Sequence, residues 1–272
     1  PEGGYNTIAP SAGMKYYIRT FSNSQTPNII TVNRADGTTI DTLADRRKAV
    51  AAAGRLAKKE FRQFITERGD TLNYYLQLPH NYDPAKVYPV LLPQYSGPGS
   101  QSVANRWGAD WEDALSRHGY IVACCDGRGT GSRGEEFKKC TYADLGRREY
   151  EDQTSFARYL ATLPYVDKNR IGIYGWSYGG FMALNCALHG EGLFKMAIAV
   201  APVTSWRYYD TIYTEIYNGL PQDNPAGYDD NSPLSHAHKL SPRTRLLIIH
   251  GTADDNVHFQ NSMEMCHRLN AA

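Results

Sequence analysis

Residues 175–179, with the sequence Gly-Trp-Ser-Tyr-Gly, constrain the fold of this chain more than any other stretch. The apolar run at 170–174 is typical of a buried strand, and residues 180–188 are typical of a helix. A serine on a sharp turn from strand to helix brings the backbone on either side of it close together. Glycine at 175 and 179 removes the Cβ atoms that would collide there. Strand, Gly-x-Ser-x-Gly and helix in this order predict a nucleophile elbow with Ser177 as the nucleophile.

Strands and helices alternate along the chain beyond residue 87. Apolar segments typical of buried strands occur at 88–92, 120–125, 170–174, 195–200 and 245–249. Residues 146–163 predict an amphipathic helix, because apolar residues recur there at intervals of three and four. A predicted hairpin at 61–78 precedes them. This alternation is typical of a mainly parallel sheet with helices on both faces. Combined with the elbow, it predicts an α/β-hydrolase fold for residues 61–272.

Residues 1–60 have a different character. Three β-rich segments, at 14–20, 28–33 and 38–43, are separated by turn signals that include Asp36-Gly37. Three short antiparallel strands are too few for an independent domain. We therefore predict that residues 1–60 are the end of an N-terminal β-propeller, namely its last blade and a helical linker at 44–59.

Composition excludes several classes of function. The chain has 29 basic and 28 acidic residues and no basic run, so it has no electrostatic basis for binding nucleic acid. It has no uninterrupted apolar span of about 18 residues, the minimum for a transmembrane helix. None of its five cysteines forms a Cys-x-x-Cys pair, and His236-x-His238 alone is a weak metal signal. We expect neither a metal nor a cofactor.

A serine nucleophile needs an acid and a base, and in this fold the chain order is serine, acid, histidine. The acid is expected in the loop that follows the predicted strand at 245–249, where both Asp254 and Asp255 are candidates. Asp126 is a third carboxylate, but it precedes the serine and lies in a Gly-rich turn. We interpret Asp126 as part of the loop structure.

The base is harder to assign. Six histidines follow Ser177 in the chain, at positions 189, 236, 238, 250, 258 and 267. His250 ends a predicted strand and is interpreted as buried and hydrogen-bonded. His258 lies on the same short segment as Asp254, whereas a triad requires the histidine on a separate loop. His267 lies on a predicted terminal helix. No histidine of this chain is predicted to be the base.

Four motifs together identify a family. Residues 95–101 (Tyr-Ser-Gly-Pro-Gly-Ser-Gln), 126–131 (Asp-Gly-Arg-Gly-Thr-Gly), 175–180 and 250–260 resemble, in this order, the dipeptidyl peptidases of the prolyl oligopeptidase family of serine peptidases. The resemblance covers nearly the whole chain. It implies a serine exopeptidase that releases X-Pro or X-Ala dipeptides from peptide N-termini through an acyl-enzyme. It also implies the C-terminal part of a bacterial-type enzyme that forms a homodimer and acts in the periplasm, at the cell surface or outside the cell.

The resemblance assigns roles to individual residues. Ser177 matches the nucleophile and Asp254 the triad acid. Tyr95, through its hydroxyl, and Tyr178, through its backbone N–H, match the oxyanion hole. Asn256 matches a side chain that binds the substrate backbone. The apolar pocket for proline at P1 is matched by Tyr178, Val203, Trp206, Tyr209, Tyr213 and Val257. From the residues alone, 206–213 would instead be interpreted as an amphipathic core helix.

Three departures from the family pattern lead to further expectations. The family histidine lies a few tens of residues after the acid, farther than Ala272 lies from Asp254, so we expect this base beyond residue 272. The paired glutamates that bind the substrate N-terminus are expected upstream of residue 1. Pro93 is expected to shorten the strand before Tyr95.

Other relatives remain alternatives to a dipeptidyl peptidase. Within the family these are a prolyl tripeptidyl peptidase, an acylaminoacyl peptidase and an endo-acting prolyl oligopeptidase. An esterase and a non-catalytic binding relative are more distant alternatives.

Overall fold

The computed structural model describes residues 3–54, 57–108 and 111–272 and divides the chain into two compact units. The first unit contains residues 1–60, 77–81 and 104–119. The second contains residues 61–76, 82–103 and 120–272. The predicted linker at 44–59 includes residues 55 and 56, which lie outside the described residues.

The first unit contains a four-stranded antiparallel sheet in the order β1-β2-β3-β4. Its strands are β1 (Tyr5–Pro10), β2 (Tyr16–Asn23), β3 (Thr26–Arg34) and β4 (Thr39–Asp45). The predicted segments correspond to β2, β3 and β4, whereas β1 was not predicted. Helix α1 (Arg47–Ala53) is shorter than the predicted linker helix and ends at Gly54, whose φ is 107°. Helix α2 (Trp111–Arg117) also belongs to this unit.

The seven-stranded sheet of the second unit has the order β11-β10-β9-β7-β8-β6-β5. Its strands are β5 (Lys59–Ile65), β6 (Thr71–Gln77), β7 (Tyr88–Pro93), β8 (Ile121–Asp126), β9 (Val166–Trp176), β10 (Met196–Val200) and β11 (Arg245–Ile249). Strands β8, β7, β9, β10 and β11 pair in parallel. The predicted mainly parallel sheet and α/β-hydrolase fold are confirmed.

Seven helices are described along the second unit. They are α3 (Glu135–Lys139), α4 (Arg147–Ala161), α5 (Tyr178–His189), α6 (Thr211–Asn218), α7 (Pro225–Asp229), α8 (Pro233–His236) and α9 (Gln260–Ala271). Helix α5 is buried at every residue from 178 to 188, since it is apolar on all sides and packs on β9, β10 and α4. Helix α4 buries the apolar stripe that predicted it, including Phe156 and Leu160.

Pro93 does not shorten strand β7. It is the last residue of the strand and pairs in register with Tyr174. The next residue, Gln94, continues the ladder by donating its N–H to the Tyr174 carbonyl at 3.0 Å. A proline at the end of a strand removes no internal ladder bond, so the expected shortening was wrong.

The segment 206–213 is not one amphipathic helix. A 3₁₀ turn at Trp206–Tyr208 ends where Tyr209 adopts an extended conformation. Asp210 then caps α6 by accepting the backbone N–H of Tyr213 at 2.7 Å. The break separates the aromatic residues of this segment onto two short elements.

The turn between β9 and α5 has the strained geometry that the elbow motif predicts. Ser177 has φ 58° and ψ −116°, an unfavourable conformation for a residue with a side chain. A Cβ atom at Gly175 would lie 2.1 Å from the Gly179 carbonyl oxygen, and one at Gly179 would lie 2.6 Å from the Gln94 carbonyl oxygen. Glycine is therefore required at both positions.

Gly179→Ala should destabilise the protein by about 1–3 kcal/mol or more, because the new methyl group must displace the backbone of Gln94. The measurement is the free energy of unfolding in urea. Gly251→Ala is the matched control, since a Cβ at Gly251 meets nothing within 4 Å. Equal stability of the two variants would contradict the close approach.

Candidate active site

Ser177 is held between the two elements of the elbow by its backbone. Its N–H donates to the Val200 carbonyl at the end of β10 at 2.9 Å, and its carbonyl accepts the N–H of Phe181 in α5 at 3.0 Å. The residue is only partly buried. These bonds fix the backbone of the candidate nucleophile from the sheet and from the helix at once.

Tyr95 lies beside Ser177 because the residues after β7 are tied to the elbow. The Gln94 side chain donates to the Gly179 carbonyl at 2.8 Å. The Tyr95 side chain is close enough to the Ser177 side chain for Ser177 to affect its pKa. Burial raises the pKa of Tyr95, and the Ser177 side chain opposes this rise only in part. The phenol therefore stays protonated at neutral pH and can donate a hydrogen bond.

The Tyr178 backbone N–H is the second donor that this arrangement offers. Tyr178 is the first residue of α5, where a backbone N–H has no acceptor within the helix. The rings of Tyr95 and Tyr178 lie 6.0 Å apart, centroid to centroid. Two donors beside a serine on a helix N-terminus match the requirement for stabilising a developing oxyanion.

Asp254 is fixed in the loop between β11 and α9. One carboxylate oxygen accepts the backbone N–H groups of Asn256 at 3.1 Å and of Val257 at 3.0 Å. The neighbouring Asp255 is exposed. The sequence left both aspartates open as the acid, and Asp254 is the one that the backbone of its own loop holds in place.

His250 is a structural histidine. Its side chain is 1% exposed, and both ring nitrogens are engaged. Nε2 lies 2.7 Å from the Val257 carbonyl and Nδ1 2.6 Å from the Ser262 hydroxyl. Because a carbonyl only accepts, Nε2 carries the proton and Nδ1 accepts from the serine. The Asp254 carboxylate is 3.5 Å from Nε2. Both nitrogens are thus used within the fold.

The other histidines are also unsuited to the role of base. His189 is twelve positions beyond Ser177 at the end of α5, about 18 Å along the axis at 1.5 Å per residue. His236 contacts His189, with ring centroids 4.6 Å apart, and its Nε2 lies 2.6 Å from the Asp230 carbonyl. Of the six histidines after Ser177, His238, His258 and His267 are exposed. Among the described residues, none hydrogen-bonds to Ser177.

The residues that the sequence assigned to the P1 pocket form a continuous aromatic cluster. The Trp206 ring lies 5.4 Å from that of Tyr178 and stacks on Tyr213 at 6.1 Å with an interplanar angle of 22°. Tyr209 meets Tyr213 edge to face at 5.4 Å. Its hydroxyl donates to Asn256 Oδ1 at 3.0 Å and so joins the cluster to the acid loop.

The aliphatic members of the predicted pocket are inaccessible in the structure. Val203 is 1% exposed and Val257 2%. Trp206 and Tyr178, at 2% each, are equally buried, so Tyr209 and Tyr213 are the members of the predicted pocket that are partly exposed among those with a ring.

Sequence reasoning missed Glu149. This residue is fully buried in the first turn of α4, and its Oε1 accepts the Tyr178 hydroxyl at 2.6 Å. Its Oε2 accepts the Gly146 N–H at 3.1 Å, as the third residue of a helix often does for the residue that caps it. Burial raises the pKa of Glu149 to about 8. A glutamate three positions after Gly146 is compatible with a helix start, but this spacing carries no sign of the contact with the elbow.

Asp126 has the structural role that was predicted for it. Its carboxylate accepts the backbone N–H groups of Ser102 and Val103, the latter at 2.8 Å. It therefore holds the loop that follows Tyr95.

The described residues contain neither a cluster suited to a metal ion nor a helix suited to a membrane. No group of three or more His, Cys, Asp or Glu side chains in residues 3–54, 57–108 and 111–272 could hold a metal ion. No helix in the same ranges is both long and apolar enough to cross a membrane.

A seven-stranded mainly parallel sheet with a serine on the turn between an inner strand, β9, and helix α5 defines an α/β-hydrolase. The model of the prolyl oligopeptidase family matches residues 107–272. This chain belongs to the prolyl oligopeptidase family.

Individual relatives are dipeptidyl peptidases by name. The chain is 40% identical over 274 residues to a probable dipeptidyl-aminopeptidase B of Trichophyton verrucosum, covering 98% of this chain and 30% of that protein. A protein of the same description from Ajellomyces capsulatus is 40% identical over 276 residues, with 100% and 30% covered. The crystal structure of Porphyromonas gingivalis dipeptidyl peptidase 4 matches with a TM-score of 0.95 and 46% identity, over 98% of this chain and 38% of that one.

Tyr95→Phe should lower kcat by roughly 10²–10³ with little change in KM, the usual effect of removing one oxyanion donor. The measurement is steady-state hydrolysis of a chromogenic peptide amide by the full-length protein. Tyr228→Phe is the control, because it removes a hydroxyl that donates to the Gly219 carbonyl at 2.7 Å. Unchanged kcat in Tyr95→Phe would remove Tyr95 from the oxyanion hole.

Proposed function

We propose that the protein is a serine exopeptidase that releases X-Pro or X-Ala dipeptides from peptide N-termini through an acyl-enzyme. The observation that carries the proposal is the aromatic cluster of Trp206, Tyr209 and Tyr213 against Tyr178, the residue that follows the candidate nucleophile. Membership of the prolyl oligopeptidase family and the names of the relatives support it. The chain spans 30% of the length of these relatives. The proposed activity is that of the longer protein to which the chain would belong.

Proline at P1 suits such a cluster. Its side chain is a compact apolar ring, and in a peptide its nitrogen carries no proton, so the pocket needs no polar partner for it. Aromatic walls bind a flat apolar group through contact area and stacking. Alanine fits the same space with less contact, whereas leucine is branched and longer. The pocket thus favours proline, accepts alanine and disfavours leucine.

The proposed chemistry proceeds in two halves. Ser177 Oγ attacks the P1 carbonyl carbon, and its proton passes to the base and then to the leaving amine of the P1′ residue. Tyr95 and the Tyr178 N–H stabilise the oxyanion of each tetrahedral intermediate. Asp254 orients the base and stabilises its protonated form. Water then attacks the acyl-enzyme, and the dipeptide leaves as a carboxylic acid.

The remaining proposals concern the longer protein that the family implies. The four-stranded antiparallel sheet of residues 5–45 is compatible with one blade of a β-propeller, and we place residues 1–60 there. Residues that bind the substrate's free N-terminus are proposed to lie outside residues 1–272. Assembly as a homodimer is likewise a proposal from family resemblance.

The pocket should discriminate by the residue at P1. With chromogenic Gly-Pro, Gly-Ala and Gly-Leu amides, the full-length protein should give the highest kcat/KM for Gly-Pro and the lowest for Gly-Leu. Ser177→Ala should abolish both turnover and labelling by a fluorophosphonate probe, which reports the reactive serine. Equal turnover of Gly-Leu and Gly-Pro would count against the pocket, and labelling that survives Ser177→Ala would count against the nucleophile.

The general base is proposed to come from outside residues 1–272, because every histidine after Ser177 is engaged elsewhere, distant or exposed. Residues 1–272 alone should therefore fold and lack Gly-Pro-releasing activity, since triad members act as a unit. Circular dichroism checks the folding, and chromogenic Gly-Pro release checks the activity. Activity near that of the full-length protein, abolished by His258→Ala or His267→Ala, would place the base within this chain.

A further inference from the structure

Glu149 places a buried carboxyl group against the elbow. The side chain is 0% exposed, and both of its oxygens accept hydrogen bonds, one from the Tyr178 hydroxyl at 2.6 Å and one from the Gly146 N–H at 3.1 Å. A buried carboxyl group costs stability unless its hydrogen bonds compensate. Glu149 bonds to the residue next to the candidate nucleophile Ser177, so helix capping alone does not explain why a carboxyl group is buried there.

The bond to Glu149 is the directional contact of the Tyr178 side chain. The ring otherwise contacts other rings: Trp206 and Phe181 at 5.4 Å each, and Tyr95 at 6.0 Å. Contacts between rings depend on area and tolerate small shifts and rotations, whereas a hydrogen bond fixes one atom in distance and angle. The hydrogen bond to the Glu149 carboxyl group thus fixes the position of the Tyr178 ring within the aromatic cluster.

Tyr178 connects the two halves of the candidate site. Its backbone N–H lies beside Ser177 at the first position of α5, and its ring packs on Trp206. A displaced ring would change the shape of the P1 pocket, and through the Cα atom it would also alter the orientation of the N–H group. Contacts of this kind hold catalytic groups within the narrow tolerance that catalysis requires.

We propose that Glu149 is a positioning residue that, through the Tyr178 hydroxyl, sets both the P1 pocket and the oxyanion donor on the Tyr178 backbone. This inference rests on the proposed peptidase function. Glu149 itself lies behind Tyr178 and does not contact the substrate.

The protonation state of Glu149 predicts which substitution preserves this role. Burial raises the pKa of the carboxyl group to about 8, and the nearby Asp152 carboxylate acts in the same direction. The group is then mostly neutral at pH 7. Glutamine is a neutral side chain of the same shape, and its one oxygen can accept the Tyr178 hydroxyl as before, whereas its NH2 group cannot accept the Gly146 N–H. Leucine is similar in size and removes the acceptor of both the Tyr178 hydroxyl and the Gly146 N–H.

In the full-length protein, Glu149→Leu should lower kcat/KM for Gly-Pro amide roughly 10- to 100-fold, because the Tyr178 hydroxyl loses the acceptor that fixes it. Glu149→Gln should stay within about threefold of the wild type, since it keeps the acceptor. Tyr178→Phe should lower kcat/KM to a similar extent as Glu149→Leu. Because both substitutions remove the same hydrogen bond, the double variant should be about as active as the less active single variant. Additive losses in the double variant would overturn the proposal.

Asp152→Asn is the matched control for losing a buried carboxylate from the same helix. Asp152 is 1% exposed and is paired with Arg128 at 2.7 Å rather than with Tyr178. It should lower the melting temperature while leaving the ratio of kcat/KM for Gly-Pro over Gly-Ala unchanged, whereas Glu149→Leu should reduce that ratio. An equal change of the ratio in both variants would reduce Glu149 to a structural role and overturn the proposal.

The rate of fluorophosphonate labelling at Ser177 separates this inference from the proposed function. Labelling depends on the oxyanion donors but not on recognition of a dipeptide, so Glu149→Leu and Tyr178→Phe should both slow it. If the wild type labels but does not release Gly-Pro, the proposed substrate is wrong, and the labelling rates still test Glu149. If Glu149→Leu does not fold, Tyr178→Phe carries the test alone, and an unchanged labelling rate in it overturns the proposal.

Discussion

The close approach of two backbone segments at the elbow is the constraint on which the rest of the second unit depends. Gly175 and Gly179 are so close that a Cβ atom at the first would lie 2.1 Å from the carbonyl oxygen of the second. Neighbouring strands are tied to the same point. Gln94, after β7, donates to Gly179, and Ser177 donates to Val200 at the end of β10. Three adjacent parallel strands thus meet at the nucleophile, and the site lies at their carboxyl ends, as in other open α/β sheets.

The features that the sequence predicted well are those with local causes. Strand β11 occurs at the predicted bounds, Arg245–Ile249, and the elbow occurs where glycine spacing requires it. Apolar runs and pairs of glycines predict structure from a few consecutive residues, since burial and backbone sterics act on each residue directly. Prediction failed for strand β1, whose six residues are all exposed and show no alternation of apolar and polar side chains. Its position depends on pairing with β2, a contact that the segment alone does not encode.

The candidate site shows the same division between local and tertiary information. The nucleophile followed from its motif, whereas the choice between Asp254 and Asp255 depended on which carboxylate accepts backbone N–H groups of the loop. Glu149 was missed because its partner Tyr178 is 29 positions away in the chain. A glutamate in the first turn of a helix is ordinary in a sequence. Only the packing of α4 against α5 makes it a partner of the elbow.

Two side chains of the second unit, the buried Glu149 and the partly buried His189, make contributions to stability that depend on pH in opposite directions. Burial raises the pKa of Glu149 from 4.5 to about 8, so the folded state keeps a proton that the unfolded chain loses. This contribution to the free energy of unfolding is complete below pH 4.5 and is lost as the pH rises to about 8. Burial, assisted by the nearby His236, lowers the pKa of His189 from 6.5 to about 4. The contribution of His189 is complete above pH 6.5 and is lost as the pH falls towards 4.

Between pH 4.5 and 6.5 the contributions of Glu149 and His189 change in opposite directions and largely cancel, and above 6.5 only the decline due to Glu149 remains. An imidazole base is neutral, and able to accept the serine proton, in that upper range. The carboxyl group that fixes Tyr178 is therefore most costly to stability at the pH where the proposed chemistry operates. Such a cost is characteristic of a group retained for the geometry of a site rather than for the stability of the fold.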